Sequence, residues 1–304
     1  NLLSGFVHDD IELIDGRLSL SGGSKLEHNS YTGWEWQPNL RVWAAPTPGI
    51  STWAAISRAV RTPSRGDHDF NAAVGAVPAD SLFLGAPAAI VTLFSNDAVR
   101  SEKLVGIDAG LRTRLGDKSF IDAALFRYWY DDLSMQELGF PFTLEEPGPP
   151  HLVLPVRNSS RSTATTAGAE VAFEWAPTGV WQVRSTYTWL RLNVDVDPEG
   201  IAVHQHPYEG GSPSHQFGLR AVARSDPWAL TLNGRRVGAL AAPAISAYTS
   251  LDLRLARDLG NGLVLAVRIS DVLQNDHREA VSSTVGAVHT RVPRAAYVSM
   301  VWRH

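Results

Sequence analysis

The amino-acid sequence predicts an all-β protein, an antiparallel transmembrane β-barrel of about 13 strands. Three observations support this prediction: apolar side chains recur at every second residue, short and long connections alternate, and most tryptophans lie near the ends of the alternating segments. Successive side chains of a strand point to opposite faces, so each segment has one apolar and one polar face.

The alternation is clearest in four segments. From Trp181 to Trp189 the odd positions are mostly apolar or aromatic and the even positions polar, and Leu263 to Ile269 repeats the pattern. The other two segments are 170–175 and 251–256. We find no amphipathic helical pattern of comparable quality in the sequence, which favours the all-β class.

The connections between segments are of two lengths, and these take turns along the chain. Short turns rich in Gly, Pro, Asp or Asn are predicted at 15–16, 46–49, 116–118, 177–179, 225–227 and 258–262. Longer connections are predicted near 28–31, 61–102, 133–164, 193–213, 237–246 and 273–291. Outer-membrane barrels have this asymmetry, with tight periplasmic turns and longer extracellular loops.

The composition excludes several other classes of protein. Hydrophobic residues make up 44% and charged residues 19%, so the chain is neither disordered nor fibrous. The net charge of -4 gives no basic footprint for nucleic acid, and the absence of cysteine excludes disulfides and thiolate metal sites. The ten tryptophans fit the aromatic girdles of a barrel, although rings packed in the core of a soluble sandwich are the alternative.

The strand count predicts that residues 1–304 are the C-terminal part of one larger barrel domain. Bacterial single-chain barrels have an even number of strands, with both chain ends in the periplasm. An odd count places the two ends on opposite sides and leaves edge strands whose backbone groups lipid cannot satisfy.

Several segments resemble the barrel of TonB-dependent outer-membrane receptors. The most recognisable runs from Trp53 to Ser64, as a strand that enters a large outer loop, and another ends its strand in Tyr130, Asp131, Asp132 and Leu133. The full series, in the family's order, is 23–29, 31–33, 37–41, 53–64, 101–104, 110–112, 126–133, 211–215 and 271–275. The final residue differs, because His304 stands where the family usually has Phe.

The resemblance implies a barrel of about 22 strands around an N-terminal plug, with the plug and the TonB box outside residues 1–304. It implies residence in the outer membrane of a Gram-negative bacterium, in contact with lipid and lipopolysaccharide. The implied activity is uptake of a scarce nutrient, driven through the plug by the TonB complex. The cargo would be a ferric siderophore or other iron complex, haem, cobalamin or a sugar. No cofactor is implied, and a passive porin or a structural or adhesive barrel is the alternative.

Three arginines are candidate ligand-binding residues because they flank the outer mouth of one strand: Arg58, Arg61 and Arg65. Guanidinium groups bind anionic ferric chelates through charge-assisted hydrogen bonds. The competing interpretation is that they pair with lumenal carboxylates or with lipopolysaccharide phosphates.

The connection 193–211 holds a second group of candidates. His204, His206 and Tyr208 could take part in binding iron or haem, whereas the alternative is an ordinary solvated loop. Alternate carboxylates in the same connection are weak candidates for a calcium site: Asp195, Asp197 and Glu199.

The sequence does not predict an enzyme. The adjacent pairs Asp131/Asp132 and Ser214/His215 face opposite sides of a strand, and no G-x-S-x-G motif is present. Charged residues on the predicted inner face are expected to form a polar wall towards the plug: Glu170, Glu174, Arg184, Asp252, Arg254 and Arg268.

Overall fold

The structure is a computed structural model that describes residues 1–81, 85, 87–146, 148, 150–197, 210–242, 244–279 and 290–303. Over this range the fold is almost entirely β-structure, with one short helix. None of the described helical residues belongs to a helix long and apolar enough to span a membrane.

Thirteen strands follow one another in a single antiparallel sheet in which each pairs with the next of the series. They are β1 (Leu2–Ile14), β2 (Leu18–Asn29), β3 (Gly33–Thr47), β4 (Ile50–Arg61), β7 (Glu102–Arg114), β8 (Ser119–Leu138), β10 (His151–Trp175), β11 (Trp181–Val196), β12 (His215–Ser225), β13 (Trp228–Val237), β14 (Tyr248–Asp258), β15 (Leu263–Ser270) and β18 (Ala295–Trp302).

Six shorter elements lie between these strands: α1 (Arg65–Asp69), β5 (Ala72–Val77), β6 (Ala89–Phe94), β9 (Phe142–Leu144), β16 (Asp276–His277) and β17 (Val292–Pro293). The predicted all-β class and the predicted strand number are therefore confirmed for the main sheet. Within the described part of the chain, β1 and β18 are its two edges.

All six predicted short turns join the strands at the same end, which we call the turn end. At the first of them Gly16 has φ +60°, a left-handed conformation that glycine adopts without steric cost, and Arg17 N donates to Ile14 O at 2.9 Å. At the opposite end of the strands, which we call the loop end, lie α1 and all the short strands of the described residues.

Two of the predicted long connections are wrong. Residues 133–164 are mostly strand, because β8 continues to Leu138 and β10 already begins at His151. These extensions pair with each other and with β6 and β9, so their backbone groups have partners beyond the main sheet. The connection at 28–31 is a tight turn, in which the Asn29 carboxamide oxygen accepts from Tyr31 N and Thr32 N at 2.9 and 2.8 Å.

The two faces of the sheet differ in polarity, as the alternation predicts. On the face we call outward, Leu125 and Phe217 are exposed by 62% and 45%. The inward face carries charged pairs between strands. Arg184 binds Glu174 at 3.0 Å and Arg268 binds Asp252 at 2.7 Å, so these members of the predicted polar wall neutralise one another.

Tryptophans divide between the faces. Strand alternation places most of them outward: Trp34, Trp36, Trp129, Trp175, Trp181, Trp189, Trp228 and Trp302. Trp43 and Trp53 pair in register on the inward face, so the girdle interpretation, which the sequence favoured for the tryptophans as a group, does not apply to these two. Trp53 instead packs over Gly110, its register partner on β7, and under the Arg112 guanidinium, whose Cζ is 5.2 Å from the ring centroid.

Candidate functional site at the loop end

Residues 62–101 fold against residues 134–160 at the loop end, and we call the described parts of these two segments the cap. The start of β10 pairs in parallel with β6 on one side, and antiparallel with β9 and the end of β8 on the other. The cap has a small core in which Ala89, Val153 and Val156 are only 1–3% exposed. The connection predicted as one large loop is therefore a folded unit.

Polar side chains fasten the cap together. Ser64 and Asp67 form a capping box at the start of α1, which satisfies free backbone groups of that helix. Asp67 Oδ1 also accepts from Asn158 Nδ2 at 2.9 Å, and its carbonyl oxygen accepts from Asn96 N at 3.2 Å. Asn96 Nδ2 in turn donates to Asn158 O at 2.8 Å. Three segments thus meet at Asp67.

A second set of contacts joins the cap to the turn between β2 and β3. Ser101, which is 2% exposed, donates from Oγ to Thr32 Oγ1 at 2.8 Å. The imidazole of His68 stacks on the Tyr31 ring with centroids 4.4 Å apart. The cap therefore lies over the rim of the neighbouring hairpin.

Two of the three predicted arginines have carboxylate partners on adjacent strands. Arg58 donates to Trp36 O, and its Nη2 lies 3.8 Å from the buried carboxylate of Glu35. Arg61 binds Glu102 across the β4–β7 pair. Both contacts agree with the competing interpretation of the sequence, in which these arginines pair with nearby carboxylates.

Arg65 differs from the other two. Its side chain is 86% exposed on α1, and its partner at 3.4 Å is Asp69 of the same helix. An exposed pair of this kind contributes little to stability, so the guanidinium is available to an anionic ligand at small cost.

The candidates in the connection 193–211 are only partly described. His204, His206, Tyr208 and Glu199 lie outside the described residues. Asp195 and Asp197 line an open concavity of about 410 Å³ at the loop end, together with Asp131, Asp132, Arg100 and Arg161. Over the described residues, no group of three or more His, Cys, Asp or Glu is placed to hold a metal ion.

Asp132 sits where the pairing of β8 with β10 shifts register, and it has φ +57°. Its carboxylate accepts from Lys103 Nζ at 2.7 Å and from Arg100 Nη2 at 2.6 Å, whereas Asp131 is exposed. The two adjacent carboxylates have different surroundings and do not form an acid–base pair.

A second polar cluster, which the sequence did not predict, lies above β13 to β15. His277 is 5% exposed, and its two ring nitrogens bind Asp271 and Glu279, each at 2.7 Å. Its ring stacks on Tyr248 with centroids 4.3 Å apart, and Arg235 also binds Glu279. Burial by itself raises the pKa of Glu279, but the His277 hydrogen bond and the Arg235 charge outweigh it, so the pKa lies below its ordinary value of 4.5.

This cluster ties a loop to the sheet. Asp271, at the end of β15, donates from its backbone N to Asp252 Oδ1 at 3.0 Å. Arg294 donates to the carbonyl oxygens of Asp271 and Val272 at 3.2 and 3.0 Å. In the sequence, the resemblance of segment 271–275 to the family is the one signal that marks this region. The resemblance does not predict a role for Asp271 or its neighbours.

Solved structures with the same fold include receptors of two species. The ferric enterobactin receptor PfeA of Pseudomonas aeruginosa matches with a TM-score of 0.70 at 16% identity, over 98% of this chain and 44% of that one. The siderophore receptor PirA of Acinetobacter baumannii matches with a TM-score of 0.73 at 12% identity, over 98% and 45%. PirA of Pseudomonas aeruginosa gives 0.66 at 17% identity, over 98% and 47%.

At these identities the likeness establishes the fold alone, and the chain spans less than half the length of each of these three proteins. No curated protein sequence matches the chain. The family model described as "TonB dependent receptor-like, beta-barrel" matches residues 2–271, which form most of the sequence. The chain therefore belongs to the TonB-dependent receptor β-barrel family.

Proposed function

We propose that this chain is the C-terminal wall and part of the loop end of an outer-membrane receptor. The receptor takes up a scarce nutrient in a TonB-dependent manner, and a ferric siderophore is the first candidate. The observation that carries the proposal is a folded, polar cap at the loop end of a sheet from this family. The solved relatives, which are a ferric enterobactin receptor and two siderophore receptors, support the choice of cargo.

The distribution of polarity supports a path along the inner face. Most outward side chains are apolar and suit lipid, whereas charged pairs between strands, such as Arg184–Glu174 and Arg268–Asp252, give the inward face a polar, hydrated surface. A cargo that enters at the loop end would first meet the cap, the exposed Arg65 and the connection that holds His204, His206 and Tyr208. We propose these residues, with Arg58 and Arg61, as the region that contacts the ligand.

Transport without covalent chemistry is the activity that the polar residues support best. The one serine–histidine neighbour pair gives no hydrolase geometry, since His215 Nδ1 is engaged by the Tyr187 hydroxyl at 2.8 Å on the outward face. We propose that energy comes from the TonB complex through the receptor's plug, and that the outward face contacts outer-membrane lipid and lipopolysaccharide.

The test uses the complete parent gene in a strain that lacks its own siderophore receptors. Outer membranes should give a compact band on a cold gel that shifts on boiling, as a closed barrel does. Energised cells should take up ferric chelates, ferric enterobactin first, and deletion of the TonB complex should abolish the uptake. Uptake that continues without the TonB complex would identify a passive porin and refute the proposal.

Substitutions separate ligand contact from structure. Arg65→Ala should weaken ferric-chelate binding, because the side chain is exposed and only weakly paired, and it should leave the cold-gel band unchanged. Lys118→Ala is the matched control, since it removes a cation at the turn end, where Nζ binds Pro177 O at 2.7 Å. Equal binding by both variants would exclude Arg65 from the ligand site.

A further inference from the structure

Two arginines of the outward face lie in one register row. Ala167 of β10 pairs with Arg127 on β8 and with Arg191 on β11, so the arginines flank it on the same face. Neighbouring strands are about 4.8 Å apart, which places the two arginine Cα atoms roughly 10 Å from each other.

Both arginine side chains lean towards the loop end. Arg127 Cζ is 5.2 Å from the centre of the Trp129 ring, and Arg191 Nε donates to Asn193 Oδ1 at 3.4 Å. Trp129 and Asn193 are both register partners of Thr165, so the two guanidinium groups flank the Thr165 position. Both arginines are exposed, and no carboxylate among the described residues forms an ion pair with either.

A shallow apolar trough lies next to the arginines on the side of the turn end. Its floor is Ala167 and Ala169, whose side chains are too small to fill the space between the neighbouring strands. Its walls are Leu125 and Trp189, the register partners of Ala169, which are 62% and 37% exposed. Val171, the next outward residue of β10 towards the turn end, is 39% exposed and continues this apolar surface.

The depth of the arginine row matches one boundary of the apolar band. From Thr165 to the outward Trp175 at the turn end, β10 runs about 33 Å, which at a tilt of roughly 40° spans about 25 Å of membrane. The apolar band of outer-membrane barrels is about 25 Å tall. With Trp175 at one boundary, the guanidinium groups lie at the other, at the level of lipid headgroups.

We propose that this row is a docking site for an anionic lipid. Its headgroup phosphate binds between Arg127 and Arg191, and one of its acyl chains lies in the trough. Two like charges beside hydrocarbon are unfavourable without a counter-anion, and a phosphate supplies bidentate acceptors for both guanidinium groups. The trough favours a lipid over a free anion. The inference rests on the membrane location in the proposed function.

The test is native mass spectrometry of the complete receptor, purified from outer membranes in mild detergent. The probes are bisphosphorylated lipid A, the same lipid A without phosphates, and inorganic phosphate as a competitor. The variant combines Arg127→Gln with Arg191→Gln. The matched control is Arg257→Gln, an outward arginine 5.1 Å above the Trp228 ring but at the turn end. A cold gel verifies that each variant forms the barrel.

The double variant should bind bisphosphorylated lipid A about tenfold more weakly or worse, whereas Arg257→Gln should bind it as the unsubstituted receptor does. The phosphate-free lipid should bind all three proteins equally weakly. Unchanged binding by the double variant would overturn the proposal, as would complete displacement of lipid A by inorganic phosphate, which would identify a free-anion site. Ferric-chelate uptake is measured separately, so failure of the proposed function is distinguishable from failure of this one.

Discussion

Asp67 Oδ1 accepts a hydrogen bond from Asn158 Nδ2 at 2.9 Å, and the two residues are 91 positions apart in the sequence. Asp67 lies on α1, and Asn158 lies on the extension of β10 beyond the main sheet. The same carboxylate also accepts from Ser64 N at 2.8 Å, at the start of α1. Asp67 therefore joins the two segments of the cap, 62–101 and 134–160.

Asp67→Ala should loosen the cap and leave the main sheet intact. The change removes a charged acceptor from three donors, and a hydrogen bond to a charged group contributes about 1.5–3 kcal/mol. Hydrogen exchange should become faster in residues 62–81 and unchanged in β11 to β14. Asp69→Ala, which removes an exposed carboxylate from the same helix, is the control. Equal exchange in the two variants would show that Asp67 does not hold the cap.

Gly110→Ala should destabilise the sheet at β4 and β7. A Cβ at this position would overlap the indole of Trp53, which the Arg112 guanidinium covers from above. Overpacking of this kind costs about 1–3 kcal/mol, so the boiling-dependent shift on a cold gel should begin at a lower temperature. Gly179→Ala has open space around its Cβ and should leave that temperature unchanged. A wild-type melting profile for Gly110→Ala would contradict the packing argument.

Two of the inward ion pairs, Arg268–Asp252 and Arg184–Glu174, should differ in their contribution to stability. Asp252 accepts from Arg268 and also from the backbone N of Asp271, so Asp252→Ala should lower the free energy of unfolding by about 1.5–3 kcal/mol. Glu174 and Arg184 are 49% and 58% exposed, and Glu174→Ala should cost less than about 1 kcal/mol. Urea unfolding in detergent measures both. A larger effect for Glu174→Ala would refute the ranking.

The cluster around His277 should weaken in acid. Because the folded-state pKa of Glu279 lies below 4.5, its contribution to stability is complete above that pH and is lost as the pH falls through the folded value. Hydrogen exchange of residues 271–279, corrected for intrinsic rates, should accelerate below about pH 4.5. Glu279→Gln should exchange faster at neutral pH and lose this dependence. An unchanged acid profile in Glu279→Gln would assign the transition to another group.

The strands and short turns could be predicted from the sequence because both are local. Period-two alternation and turn residues such as Asp15 and Gly16 act over a few positions, and all six turns are where these signals lie. The inward position of Trp43 and Trp53 could also be predicted from the sequence. Each lies two positions from a polar residue, Arg41 or Ser51, and therefore shares its face of the strand. As tryptophans they were expected at the membrane boundary, but the alternation of side chains along the strands places both on the inward face.

The cap and the His277 cluster could not be predicted in this way. The cap depends on single hydrogen bonds between distant segments, such as Ser101 with Thr32, and no periodicity marks a residue for such a contact. Around Ser159 and Ser160 the extension of β10 is polar on both faces, which is typical of a loop, although in the structure Ser159 pairs with Met135 of β8. His277 lies in a segment without alternation, so its two carboxylate partners become visible only in three dimensions.

The cap touches the rim of the β2–β3 hairpin through the Ser101–Thr32 hydrogen bond and the His68–Tyr31 stack. The main sheet, in contrast, is held by continuous backbone ladders from β1 to β18. The extensions of β8 and β10 continue the ladder of the main sheet into the cap, whereas the contacts of the cap with the hairpin rim are made by side chains. A chimera that replaces residues 62–101 and 139–158 with the corresponding segments of another receptor should exchange part of the region proposed to contact the ligand, while the strand order and the turns stay the same.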